Sequence, residues 1–252
     1  MRADIPGELT KRLAAAQSVC VLTGSGVSAE SGVPTFRDAQ TGLWAKFQPE
    51  ELATMEAFQR DPSLVWEWYQ WRRKLVRQAR PNPAHSALAD LEQMFPHFSL
   101  ISQNVDGLHQ AAGSRNMIEF HGNIMRTICA DEGCVIEDYD ASESPPPCPN
   151  CGAYLRPDVV WFGEQIDKQA LDAAIAYASA CDVFFAIGTS AQVQPAAGLA
   201  ELAIQSGACM VEINPQQTLL SDRVSYAIHG NAAQVLPALI RALRGRFRER
   251  KQ

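Results

Sequence analysis

The chain has little of what would tie it to a membrane or to a nucleic acid. Its opening, MRADIPGELTKRLAAA, carries early acids and lacks the apolar run of a secretory signal or a membrane span. A cytoplasmic protein with no membrane partner is therefore the expectation. Positive charge is in deficit: 22 Lys and Arg against 28 Asp and Glu leave a net charge of −6. That balance argues against phosphate-backbone binding as the main purpose, so no specific nucleic-acid partner is expected. Internal repeats and coiled-coil heptads are also missing, and a monomer is expected. What remains is an ordinary globular composition, 46% hydrophobic over 252 residues. This suits one large domain, or a large domain with smaller insertions.

SVCVLTGSG, FSLISQN, DVFFAIGTS and ACMVEIN each read as an apolar strand ending in a polar tip. Helical patterns alternate with them at roughly 84–95, 167–179, 196–206 and 232–244. Such alternation implies an α/β fold with a doubly wound, Rossmann-like parallel sheet. Ligands of such sheets bind beyond the carboxyl ends of the strands. Gly24–Ser28, Gln103–Asp106, Gly188–Ser190 and Asn214 should therefore surround one crevice. Two regions break the pattern: an aromatic, helical stretch at about 43–82 and a Cys- and Pro-rich stretch at about 123–156. Both read as insertions forming a smaller lobe. The large domain then comprises 1–42, 83–122 and 157–252.

TGSGVSAESGVPTFRD places Gly-x-Gly at a strand tip, where the backbone can approach a phosphate and a helix starting at Ser28 or Glu30 would favour its charge. The third glycine, Gly32, comes too late for a dinucleotide fingerprint, and no acid stands about 20 residues on to hold a ribose. A plain Gly-rich turn is the competing reading. SQNVDGLH sets Gln103, Asn104 and Asp106 at another strand tip, as helix caps or as site residues. His121, in IEFHGN, is either structural or a general base titrating near neutrality.

The seven cysteines divide into two groups. Cys20, Cys181 and Cys209 lie in or beside apolar runs and read as buried, inert thiols. Cys129-x4-Cys134 and Cys148-x2-Cys151 supply four soft ligands on two short loops, which suits a structural, tetrahedral Zn²⁺ with no open position. The acidic VIEDYDASES between the pairs would repel phosphate.

VWEWYQWRRKL, residues 65–75, interleaves aromatics with basic residues. On a helix, Leu64, Trp68, Trp71 and Leu75 form one apolar stripe, and Val65, Tyr69, Arg72 and Val76 form its neighbour. Arg73 and Arg77 should face water. Tyr69 and Arg72 stand one turn apart at the core boundary, a guanidinium beside a phenol, suited either to a small carboxylate ligand or to a carboxylate of the protein.

Taken together, the motifs resemble the sirtuins, NAD-dependent protein lysine deacylases, over about Ser18–Leu239. GSGVSAESGVPTFR is similar to their NAD loop, with Ser25 where alanine is usual; QNVD and FHG resemble the nicotinamide and catalytic segments. RPDVVWFGE, GTSAQVQPAA and EIN resemble the substrate strand and the ribose-contacting segments. The resemblance implies NAD consumed as co-substrate, structural zinc, and acyl-lysine proteins bound as extended peptides. It implies His121 as the catalytic residue. The implied cofactor set is Gly24, Ser25, Gly26, Ala29, Glu30, Thr35, Phe36, Arg37, Gln103, Asn104, Asp106, Gly188, Thr189, Ser190, Asn214 and Ala232. Val160, Phe162, Gly163 and Glu164 match the strip that binds acyl-lysine. Tyr69-x-x-Arg72 resembles the signature of class III sirtuins, which remove succinyl, malonyl or glutaryl groups, and Ala53 matches their pocket-widening small residue. A sirtuin-like deacetylase or ADP-ribosyltransferase is the alternative. The x4 spacing of the first cysteine pair departs from the commoner x2.

Overall fold

Strands with no polar alternation must be covered on both faces, and four runs of this chain have none. The structure, a computed structural model, describes residues 4–34 and 48–249. Helix α1 (Gly7–Ala15) leads into strand β1 (Ser18–Thr23), followed by helices α2 (Pro49–Leu52), α3 (Met55–Arg60), α4 (Pro62–Gln78) and α5 (Pro83–Glu92). Next come β2 (His97–Ser102), α6 (Leu108–Ala111), β3 (Met117–Glu119), β4 (Gly122–Cys129) and β5 (Leu155–Val159). The chain closes with α7 (Lys168–Ala180), β6 (Val183–Ile187), α8 (Ala196–Gln205), β7 (Cys209–Asn214), β8 (Tyr226–His229) and α9 (Ala232–Glu249). Among the described residues, no helix is long and apolar enough to cross a membrane.

Six parallel strands form the main sheet in the order β3-β2-β1-β6-β7-β8. Alternate residues of each strand enter different cores. Val19 and Val21 pack with α1, α5 and α9, whereas Cys20 and Leu22 pack with α7 and α8. The sheet is therefore doubly wound, as the alternating pattern implies. Succession runs outward from β1 to β2 and β3, then reverses from β6 to β7 and β8. The switch point lies between β1 and β6, the place beyond the strand ends where ligands of such sheets bind.

β4 and β5 form a separate antiparallel pair, packed against the α2–α4 helices in a core that includes Ala53, Trp68, Tyr69, Ile124 and Trp161. Helix α4 starts where Asp61 accepts the Leu64 amide at 3.0 Å and Pro62 supplies a preset φ. Its buried stripe is Val65, Trp68, Tyr69 and Val76, one step round from the stripe led by Leu64; Leu64, Trp71 and Leu75 are only partly covered.

Arg73 corrects the expectation that it faces water: it is 2% exposed. Its guanidinium donates to the carbonyls of Ile124 and Arg126, both at 2.6 Å, and to Thr127 Oγ1 at 3.0 Å. Its other neighbour is the Trp66 ring, 5.4 Å away. The reason is tertiary. β4 crosses this face of α4 and offers unpaired carbonyls, so the helix is covered on a second side as well.

Two further readings change. No α-helix follows β1 at Ser28 or Glu30; two 3-10 turns, Ser25–Val27 and Ala29–Ser31, end at Gly32 with φ 78°. Side chains hold this segment in place of helix hydrogen bonds, since Asn104 donates to Gly24 O and Asn82 to Val27 O. Cys20 and Cys209 are buried as expected, while Cys181 is only half-buried. Helix α1 carries no motif read from the sequence.

Candidate active site

The loops leaving β1 and β6 touch backbone to backbone. Gly26 N donates to Gly188 O at 2.9 Å. A Cβ on Gly24 would meet Gly188 O at 2.7 Å, and one on Gly188, at φ 58°, would meet Val27 N at 2.6 Å. These glycines are therefore required by the loop contact itself, before any ligand arrives.

Polar side chains stitch the neighbouring strand tips to the same loops. Gln103 donates to Thr189 Oγ1 at 3.0 Å, and Asn214 donates to Thr189 O at 2.9 Å. Asn104 donates to Gly24 O at 3.1 Å and to Ser28 Oγ at 3.2 Å. Asp106 is buried and accepts the Leu108 amide at 2.9 Å, so it does cap the next helix. Ser25 and Ser190 line this region half-buried, and Ala29 is exposed. Glu30 accepts from Ala233 N at 3.3 Å, tying the loop to the start of α9 beside buried Ala232. Thr35, Phe36 and Arg37 lie outside the described residues, as do residues 43–47 of the expected helical insertion.

Beneath the loop lies a group of side chains that the sequence reading missed. His85 Nδ1 accepts the Asn82 amide at 3.2 Å, so its Nε2 carries the hydrogen, 3.3 Å from Ser28 Oγ. His109 packs edge-on to His85 with ring centroids 4.8 Å apart, and its Nε2 lies 3.1 Å from Thr23 Oγ1. Burial, and then His85, push His109 down to about 3, so it is neutral under the loop, and burial lowers His85 as well. Asn82-Pro83 ahead of an apolar helix is the available sequence signal, a helix N-terminus whose third residue, His85, completes a capping box.

His121 is half-buried, with Nδ1 3.1 Å from Gln103 O. A carbonyl can only accept, so Nδ1 carries the hydrogen and Nε2 is left with its lone pair. Burial pulls the imidazole below its usual value, and the Gln103 carbonyl opposes that shift. His121 O in turn accepts Val160 N at 3.0 Å, and Ala53 O accepts Phe162 N at 2.9 Å. The strip 160–164 is thereby sewn to His121 on one side and to Ala53 on the other. Phe162 is 43% exposed, and Gly163, at φ 86°, is exposed too. Glu164 turns inward: it forms a two-point ion pair with Arg156, at 2.5 and 2.8 Å, and accepts the Trp161 amide at 2.8 Å.

Tyr69 is buried, and its hydroxyl accepts the Trp161 indole N–H at 2.9 Å. Burial pushes the phenol up to about 12, so it stays protonated. Arg72, partly buried, lies over the Trp68 ring at 5.1 Å. Burial lowers its pKa, while Tyr69 and Asp106 beside it act in the other direction.

Three of the four predicted zinc ligands come together. The sulfurs of Cys129, Cys148 and Cys151 lie within 4.8 Å of one another, and Cys129 and Cys151 are 3.5 Å apart. That separation is too long for a disulfide and near the roughly 3.8 Å edge of a zinc–thiolate tetrahedron. A backbone N–H of Asn150 lowers the Cys148 thiol pKa, whereas Cys151, although an Ala153 backbone N–H lowers it, is pushed up to about 11 by Cys129 beside it. Cys134 stands outside the trio, exposed, on a turn closed by Cys129 N to Cys134 O at 3.0 Å. This donor set fits Zn²⁺, with Cys134 on the adjacent turn.

Glycine loops and polar strand tips gathered at the switch point of a parallel sheet, a histidine bonded to one of those tips and a cysteine-bearing lobe define a class. The Sir2 family model matches residues 24–195, and the chain belongs to that family. It is 49% identical over 240 residues to NAD-dependent protein deacylase 2 of Pyrobaculum aerophilum, covering 95% of this chain and 96% of the relative. It is 46% identical to the NAD-dependent protein deacylase of Pyrococcus furiosus, covering 94% and 98%. A solved Sir2 homologue in complex with NAD superposes with TM-score 0.90 at 44% identity, covering 97% of this chain and 96% of its own. A Sir2 protein bound to acetylated peptide matches with TM-score 0.83 at 29% identity, covering 93% and 96%.

Proposed function

We propose that this NAD-dependent protein deacylase acts preferentially on lysines carrying an acidic acyl group, succinyl or malonyl, and on acetyl-lysine less efficiently. The observation that carries the preference is the proximity of partly buried Arg72 to Tyr69, one helical turn apart, with Tyr69 in the lobe core that also holds Ala53. A protonated phenol and a guanidinium are both donors, and together they match the acceptor oxygens of a small carboxylate. NAD binds in the switch-point crevice, lined by Gly24–Ser28, Gln103–Asp106, Gly188–Ser190 and Asn214. NAD would supply the electrophilic ribose carbon: the acyl-lysine amide oxygen bonds to it as nicotinamide leaves, and water then completes release of free lysine and O-acyl-ADP-ribose. Acyl-lysine lies along Val160–Gly163 as an added strand, and Glu164 holds that strip in shape through Arg156. His121 offers its Nε2 lone pair as the base for a ribose hydroxyl. The insertions at 43–82 and 123–156 form the lobe that presents the acyl pocket.

Wild-type protein incubated with NAD and paired succinyl- and acetyl-lysine peptides tests the reading. Mass spectrometry should show loss of the acyl mass and formation of O-acyl-ADP-ribose, with higher kcat/KM for the succinyl peptide. A higher acetyl value, or an ADP-ribose mass gained on protein, counts against it.

The cysteine cluster is assigned a structural Zn²⁺, held by Cys129, Cys134, Cys148 and Cys151. Cys129 and Cys148 pack with Trp66, Ile136 and Leu155, so metal and lobe stability are linked. Elemental analysis should find one zinc per chain, and Cys148→Ser should lose it together with a lower Tm. A zinc-free wild type of unchanged Tm would remove the assignment.

A further inference from the structure

Tyr69 is useful to an anionic acyl group only if its hydroxyl proton points at that group, and a phenol proton can rotate. Its two in-plane positions are equivalent for an isolated ring, so something must choose between them. Trp161 makes the choice. An indole N–H is a donor only, and it sits 2.9 Å from the Tyr69 oxygen. The oxygen must accept there, which sends the phenol hydrogen to the other side. Arg72, one turn along the helix, also has only donors and cannot take that hydrogen. Among the described residues the Tyr69 hydroxyl has the Trp161 bond alone, which leaves its hydrogen for an acceptor brought by a ligand.

Trp161 is itself held with little freedom. It is 2% exposed, and the Arg156 guanidinium lies 3.6 Å from its ring centroid. Its backbone amide and Arg156 are both fixed by Glu164. Tyr69 stacks on it with an interplanar angle of 28°. A chain of contacts thus runs from Glu164 through Arg156 and Trp161 to the Tyr69 hydroxyl.

Building on the acidic-acyl reading, we propose that Trp161 is a positioning residue for acyl selectivity: its indole N–H sets Tyr69 as a hydrogen-bond donor toward the acyl carboxylate. The Trp161 side chain is buried and acts through Tyr69, while the backbone of the strip it belongs to faces the substrate.

The test is a double-mutant cycle of Trp161→Phe and Tyr69→Phe, with kcat and KM measured on succinyl- and acetyl-lysine peptides. Phenylalanine at 161 keeps an aromatic ring for Arg156 and Tyr69 but removes the second ring of the indole together with the N–H, so a tryptophan analogue with sulfur in place of the indole nitrogen serves as the shape-matched control. Trp161→Phe should raise KM for the succinyl peptide roughly three- to tenfold, the range expected for one oriented hydrogen bond. Its kcat and its acetyl kinetics should move less. In the Tyr69→Phe background, the same substitution should have no further effect on the succinyl-to-acetyl ratio. An equal loss on both peptides, or additive effects in the cycle, overturns the proposal. If Trp161→Phe does not fold, that analogue, incorporated at position 161, gives the same readouts in the same shape. A wild type that favours acetyl overturns the acyl reading and this proposal with it. A wild type that favours succinyl, with a Trp161→Phe variant of unchanged succinyl KM, overturns only the role of Trp161.

Discussion

His121→Ala should lower kcat for deacylation by roughly 10²–10⁴-fold, the span of a positioned general base, while NAD still binds. The strand-tip loops are also fixed by the side chains of Gln103, Asn104 and Asn214, so their geometry should survive loss of the single imidazole bond to Gln103 O. NAD titration and Tm of the variant should therefore stay near wild type. A variant that loses NAD affinity as severely as kcat would give His121 a structural role instead. The pH profile supplies a second readout. Burial lowers the folded pKa of His121 below its usual 6.5, so the neutral base form persists further into acid. Deacylation kcat/KM should accordingly be flat through neutrality and fall only as pH drops through a value below 6.5. An acid limb above 6.5 contradicts the assigned base.

Arg72→Met should cut kcat/KM for succinyl-lysine by about one to two orders of magnitude, the loss of a charge-assisted contact of roughly 1.5–3 kcal/mol. Acetyl-lysine has no carboxylate to lose and should fall much less. Asp106 makes this comparison informative, because its charge also acts on Arg72. If Arg72 serves chiefly to balance Asp106 at the nicotinamide end of the crevice, both peptides should suffer alike. Methionine fills the aliphatic volume of arginine, so a selective loss reports the missing charge and not a cavity.

Much of the site was legible in one sequence because strand-end motifs are local. Each apolar run ends where its polar tip begins, and a parallel sheet collects those tips at one edge. Gly24, Gln103, Asn104, Gly188 and Asn214 needed no knowledge of strand order to be grouped. The cysteine pairs were legible for a similar reason, since two short loops carry the ligands, although Cys134 does not join the other three sulfurs. Arg73 was misread because helical spacing shows only one covered face, and the carbonyls it binds come from a strand about 50 residues later. His85 and His109 gave no periodic or motif signal of a shared role; only the packing of α5 against α6 makes them neighbours.

The sequence by itself determined the doubly wound sheet, the edge at which its polar strand tips gather and the chemical types found there. Those follow from periodicity and from covalent order along the chain. The tertiary structure decided which polar groups are committed to holding the site and which stay available to a ligand. Glu164 is spent on Arg156, the Tyr69 oxygen is taken by Trp161, and His121 Nδ1 is taken by Gln103. Hydrogen bonds are directional and each lone pair or hydrogen is used once, so these allocations depend on partners far apart in the chain.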